Sequence, residues 1–237
     1  MTTATLHYIY DPLCGWCYGA APLVKAAREL LPVQAHAGGM MTGTHRQQMS
    51  GQLRSYVMGH DQRIAELTSQ VFGDAYFNDL LRDTTVVFDS EPPVSAILAV
   101  EKIAGKGQGK PDGLDMLARL QTAHYVEGRR IAEREVLNAI AGELGIDQQA
   151  FNAAFDEVSA GETTLHFAAT RTLMQRLGAR GFPSFALELN GELHPVDISR
   201  YIGQPAAFSD WLKQKLPFET DAAGTPAFQC GPDSCAI

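Results

Sequence analysis

Tyr10-Asp11-Pro12-Leu13-Cys14-Gly15-Trp16-Cys17 places two cysteines three positions apart, after a short apolar run and before a helical pattern. On a helix, positions i and i+3 share a face, so the two sulfurs can meet and close into a small disulfide. A cysteine in the first turn sits among unpaired backbone N–H groups at the positive end of the helix dipole, which favours its thiolate. The thiolate is the attacking species in disulfide exchange. Cys14 therefore reads as the nucleophile, and Cys17, one turn further on, as the sulfur that resolves the mixed disulfide. Half of a zinc site is the competing reading. Structural zinc needs four Cys or His ligands, and no second pair stands at a familiar zinc spacing. We expect a redox pair and no metal.

The flanking sequence supplies the setting. Leu6-His7-Tyr8-Ile9-Tyr10 reads as a buried strand ended by Asp11-Pro12. A helix is expected from Cys14 to Leu31, kinked rather than ended by Pro22, because Leu23, Ala26, Ala27, Leu30 and Leu31 continue the apolar face. Val33 to Ala37 is a second strand, and Gly38 to Gly43 a flexible loop. The next ~120 residues read as helix after helix. Among them Glu91-Pro92-Pro93 marks one helix start, Leu114 to Tyr125 and Glu133 to Gly145 are strong patterns, and Asp147 caps another. Leu165, Ala169, Leu173 and Leu177 predict a further amphipathic helix closed by Gly178. The pattern then switches to strand-like alternation over Gly181 to Leu189, a hairpin turn at Asn190-Gly191 and a returning strand from Leu193 to Val196. A last helix covers Ala206 to Leu216. The order predicts one α/β sheet domain with a helical domain inserted into it.

Composition narrows the function classes. The 237 residues are 45% hydrophobic, enough for a real core. A net charge of −8 speaks against non-specific nucleic-acid binding. No stretch approaches the roughly 20 apolar residues that span a bilayer. The opening Met1-Thr2-Thr3-Ala4-Thr5 lacks the basic and long apolar regions of a secretory signal, so a cytoplasmic location is expected; a trimmed mature form would leave the periplasm open. Four cysteines in two close pairs suggest redox use more than a disulfide framework.

With Cys14-Gly15-Trp16-Cys17 in that order of elements, the chain resembles the DsbA branch of the thioredoxin superfamily, and within it the FrnE-type disulfide oxidoreductases. Pro22 is similar to the kinking proline of such redox helices. Gly181-Phe182-Pro183-Ser184 resembles the cis-proline loop that faces the two sulfurs, and 125–147 resembles the inserted helices of DsbA-like proteins. The resemblance implies a thioredoxin-like domain from 1–42 and 165–216, a helical insertion at 43–164 and a cysteine-bearing extension at 217–237. It implies Phe182 and Pro183 as substrate-binding residues, protein or peptide thiols and disulfides as partners, and no cofactor beyond the disulfide itself, exchanging with glutathione or thioredoxin. A monomer is expected. Two departures stand out: Gly-Trp between the cysteines, which leaves the redox potential open, and a bulky Phe before Pro183.

Several residues carry two readings. Trp16 either lines a substrate groove or packs as an ordinary aromatic. Asp11 is close enough to Cys14 to relay a proton, though its Asp-Pro setting favours a turn residue. Cys230 and Cys235 read as an auxiliary redox pair, with incidental tail cysteines or a weak metal clip as the alternative. His7, His36 and His166 have no assignable partner, and Met40, Met41, Met49 and Met58 read as scattered core residues before an adaptable surface. The expected function is a thiol–disulfide oxidoreductase or isomerase. Its rivals are a glutathione-dependent transferase or isomerase of kappa-class type, which carries Ser at the Cys14 position, and a non-catalytic peptide-binding module.

Overall fold

The computed structural model describes residues 4–104 and 110–216. At its centre is β1 (Ala4–Tyr10), buried from Leu6 onward, as an inner strand covered on both faces must be. The chain turns at Asp11-Pro12 into α1 (Gly15–Arg28) and returns as β2 (Val33–Ala37), parallel to β1 with Tyr8 opposite Ala35. Next come β3 (Gln47–Gln48), α2 (Gly51–Thr68) and β4 (Val87–Phe88), with β3 and β4 paired antiparallel. Five helices follow: α3 (Glu91–Ala104), α4 (Gly113–Tyr125), α5 (Arg134–Glu143), α6 (Gln148–Glu157) and α7 (Thr163–Leu177). β5 (Ser184–Leu189) then pairs antiparallel with β1, and β6 (Glu192–Val196) with β5. α8 (Pro205–Lys215) closes the described chain. The main sheet has the order β2-β1-β5-β6, so this is an α/β thioredoxin-like fold with helices inserted between its two halves.

Local chemistry accounts for these boundaries. Asn190 (φ 52°) and Gly191 (φ 85°) give the two left-handed positions that a tight hairpin between β5 and β6 requires. Gly178 ends α7 at φ 64°, and the Asp147 carboxylate caps α6 by accepting from Ala150 N–H. Pro22 lacks the N–H that would bond to the carbonyl of Tyr18, yet α1 continues to Arg28. The Gln70 side-chain amide donates to that carbonyl at 2.7 Å and satisfies it.

An aromatic cluster joins α1 to the insertion. Tyr18 stacks on Tyr125 of α4 at 4.8 Å, and Phe72 meets both edge-on. Such pairs contribute about 0.5–1.5 kcal/mol each beyond area burial. They fix the redox helix against α4.

Two sequence expectations need correction. The region after Gly43 is not helix alone, because the β3–β4 ladder lies within it. Two-residue strands carry too little alternation to register in a pattern. The α7 stripe is also misplaced: Leu165 is 71% exposed, and the helix packs through Thr163, Phe167 and Thr170. Burial of Thr163 is made possible by its hydroxyl partner Ser95 Oγ at 2.7 Å, so a polar residue occupies a core position that apolar periodicity assigns elsewhere.

Candidate active site

Cys14 is the N-cap of α1, with extended backbone at φ −91°, ψ 111°. Its carbonyl accepts from the N–H groups of Cys17 (2.9 Å) and Tyr18 (3.1 Å), starting the helix. Its side chain caps nothing. The thiol turns instead towards the loop before β5 and donates to the carbonyl oxygen of Phe182 at 3.5 Å. Cys17, one turn on, shares that face of the helix but lies beneath it. Both thiols are reduced, with Cys14 8% exposed and Cys17 fully enclosed. Burial, and then the hydrogen bond and charge of Cys14, push the Cys17 thiol well above its ordinary range. The Asp11 N–H lies 3.5 Å from Cys17 Sγ, and the Tyr8 hydroxyl donates to the Cys17 carbonyl. The pair is therefore asymmetric, with one cysteine lining a cavity and the other shut behind it.

Phe182-Pro183 is a cis peptide and forms the wall opposite Cys14. The Phe182 ring packs so closely on Gly38, in the loop after β2, that a Cβ there would run into it. Gly38 is required at this contact.

Asp11 is completely buried. Its Oδ1 accepts from Leu13 N–H and Ser90 Oγ, both at 2.9 Å, and its Oδ2 accepts from Met40 N–H at 2.6 Å. It thus makes the turn that Asp-Pro suggests, and it also ties the redox loop to the segments at Met40 and Ser90. Burial raises its pKa to about 6, against the pull of the Met40, Leu13 and Ser90 donors.

Two hollows meet at Trp16 and Phe182. One, of about 490 Å³, opens onto Cys14 between Met40, Met41, Asp61, Tyr76 and Tyr125. The other, a groove of about 730 Å³, runs past Pro183, Arg63, Leu177 and Val196. The half-buried Trp16 forms part of both walls.

Sequence reasoning missed Asp61 and Tyr76. Asp61, on α2, is 3% exposed and accepts a hydrogen bond from the Tyr76 hydroxyl at 2.8 Å. Burial raises its pKa to about 7, with the Tyr76 bond pulling the other way. No motif marks it, since only the fold carries α2 to the start of α1. His7, His36 and His166 do have partners: His7 bridges His36 (2.9 Å) and Glu188 (2.8 Å), and His166 accepts from Ala37 N–H (2.9 Å). Met40 and Met41 line the Cys14 cavity, while Met49 is core. Cys230 and Cys235 lie outside the described residues. Among the described residues no group of three or more His, Cys, Asp or Glu could hold a metal ion, and no helix is long and apolar enough to cross a membrane.

An asymmetric cysteine pair at a helix start, facing an X-Pro loop at one end of a β2-β1-β5-β6 sheet, defines a thiol–disulfide oxidoreductase. The chain belongs to the DsbA-like disulfide oxidoreductases of the thioredoxin superfamily, in the branch that holds DsbM. It is 54% identical to the cytosolic disulfide reductase DsbM from Pseudomonas aeruginosa, over 89% of this chain and 98% of that one, with a TM-score of 0.82. The same reductase solved with GSH gives 53% identity, the same coverage and a TM-score of 0.81. A Nitrosomonas europaea protein provisionally named a protein disulfide isomerase is 25% identical over 90% of this chain and 98% of that one, at TM-score 0.71. A 2-hydroxychromene-2-carboxylate isomerase, 18% identical over 89% of this chain and 97% of that one at TM-score 0.53, shares the fold alone. No family model and no curated protein sequence matches the chain.

Proposed function

We propose that the chain reduces protein disulfides in the cytoplasm, with Cys14 as the attacking sulfur, Cys17 as the resolving sulfur and glutathione as the source of electrons. One observation carries this reading: Cys14 stands at the mouth of a cavity while Cys17 is sealed behind it. The Cys14 thiolate attacks one substrate sulfur and expels the other, giving a mixed disulfide. Cys17 then attacks Cys14, releases the second substrate thiol and closes the Cys14–Cys17 disulfide. One glutathione thiolate opens that disulfide, and a second removes the first as oxidised glutathione. The pair itself carries the two electrons. Asp11, buried beside Cys17, relays the proton that Cys17 loses. Trp16, Phe182 and Pro183 hold the peptide in the adjoining groove, and Cys230 with Cys235 exchanges with the active pair. The likeness to DsbM, a cytosolic reductase solved with GSH, supports the direction, the compartment and the thiol partner.

Glutathione-driven reduction of insulin tests the assignment. Cys14→Ser is expected to abolish turnover, and Cys17→Ser to accumulate a mixed disulfide on Cys14. Full activity in Cys14→Ser would sink the reading. A reduction potential near the roughly −270 mV of thioredoxin agrees with a reductase, whereas one near the roughly −120 mV of DsbA would reverse the direction.

A further inference from the structure

We propose that Asp61 is the acid that protonates the thiolate expelled when Cys14 attacks a disulfide. Each such attack releases a sulfur anion, and an aliphatic thiolate departs reluctantly into a partly enclosed space unless a proton meets it. Asp11 is poorly placed for that task, because it lies beside the enclosed Cys17 and does not line the cavity that opens onto Cys14. Asp61 lines the cavity that opens onto Cys14. Its Oδ2 is held by the Tyr76 hydroxyl, and its Oδ1 packs so tightly on Gly15, the residue after Cys14, that a Cβ at Gly15 would strike it. Asp61 and Cys14 thus lie at the same helix start.

Burial holds the Asp61 carboxyl pKa at about 7, against the pull of the Tyr76 hydrogen bond, so a proton is available beside the Cys14 helix start near neutrality. The other titratable groups around it are compatible with this state. Tyr76 and Tyr125 are raised well above their ordinary range and keep their protons. His124, against Tyr76, is pushed down to about 3 by burial and is neutral. His45 and His60 line the same cavity, as does Tyr56, and Cys17 lies behind Cys14 with its proton favoured. Tyr125 also lines the cavity, and its buried hydroxyl has no hydrogen-bond partner among the described residues.

The step balances. The Cys14 thiolate forms a bond to one sulfur of R–S–S–R′, the S–S bond breaks, and its electron pair leaves on R′–S⁻. The Asp61 proton passes to that sulfur, giving R′–SH, the Cys14–S–S–R mixed disulfide and the Asp61 carboxylate. No oxidant or reductant beyond the two thiol pairs is needed.

The inference rests on Cys14 as the attacking sulfur, so its test separates the two. Reduced enzyme is mixed rapidly with hydroxyethyl disulfide, whose leaving thiol is aliphatic, and with 5,5′-dithiobis(2-nitrobenzoate), whose aromatic thiolate leaves without a proton. Asp61→Asn is expected to slow the first reaction about 100-fold, within the usual span of general acid catalysis, and to leave the second within about 3-fold. An equal change in both, or no change in either, overturns the assignment. Tyr76→Phe gives an independent measure. It removes a hydrogen bond that favours the ionised carboxylate, so the alkaline limb of the hydroxyethyl disulfide reaction must move to higher pH, and an unmoved limb overturns the proposal as well. Cys14→Ser should lose both reactions; if it keeps them, the role of Cys14 fails, and that of Asp61 with it.

Discussion

Cys14 Sγ and the carbonyl oxygen of Phe182 lie 3.5 Å apart, joining the start of α1 to the loop before β5. A carbonyl oxygen accepts a hydrogen bond from a thiol but repels a thiolate. Ionising Cys14 therefore loosens the contact that holds the Phe182 wall against it, at the stage when a substrate sulfur must come between them.

The other face of Phe182 gives a measurable handle. Gly38→Ala drives a methyl group into the ring, and overpacking of this kind costs about 1–3 kcal/mol. Phe182→Ala removes the obstacle. Urea unfolding of the two single variants and the double variant should show strong non-additivity, with Gly38→Ala nearly harmless once the ring is gone. Additive losses would mean that the wall is not set by this contact.

Pro22 and Gln70 form a second coupled pair. The Gln70 amide covers the Tyr18 carbonyl that Pro22 leaves without a helical partner. Gln70→Ala should cost about 1 kcal/mol in the wild-type background. With Pro22→Ala, the restored N–H can serve that carbonyl, and the same change should cost far less. Thermal unfolding of the four proteins decides the matter.

Two buried groups should tilt stability in opposite directions over nearly the same window, from about pH 4 to 7. Asp61 has a folded pKa of about 7 against an ordinary 3.8, so its contribution is complete below pH 4 and is lost as pH rises through 7. Asp61→Asn should therefore match the wild type near pH 4 and exceed it at pH 8 by a few kcal/mol, at about 1.4 kcal/mol per pKa unit. His36 is held at about 4 by burial and by His7, below an ordinary 6.5. Its contribution is complete above 6.5 and is lost as pH falls towards 4, opposite in sign to that of Asp61, so His36→Gln should steepen the fall in stability from pH 4 to 7. Chemical denaturation of the wild type and the two variants from pH 4 to 9 would separate the two contributions. A wild-type curve parallel to that of Asp61→Asn would contradict the first.

Asp112 offers a control far from the sulfurs. Its side chain caps α4 through the N–H groups of Leu114 and Asp115, and it meets the Arg28 guanidinium at 2.7 Å. Asp112→Ala should cost about 1–2 kcal/mol, mostly from the cap. Disulfide reduction at 25 °C should be unchanged.

Much of the fold and the redox pair is legible in the amino-acid sequence, because the signals are local. The spacing of Cys14 and Cys17, the turn at Asn190-Gly191, the Asp147 cap and the Gly178 stop each depend on a few adjacent residues. What escapes is non-local. Asp61 matters through what lies beside it, Gly15 and Tyr76, which are remote in sequence. The buried face of α7 escapes because Thr163 satisfies its hydroxyl on Ser95, a partner that periodicity does not reveal. The partners of His7 and His36 require the strands to be in register.

The complete enclosure of Cys17 has a consequence for chemistry arriving from water. A peroxide or an alkylating reagent that meets the folded protein finds only one thiol of this pair to modify. The second becomes reactive only towards a sulfur already bonded to the first. An oxidant that converts Cys14 to a sulfenic acid thus delivers it directly to an unmodified neighbour, which can close the disulfide before irreversible oxidation proceeds. The burial that makes Cys17 slow to ionise also keeps it intact as a repair thiol.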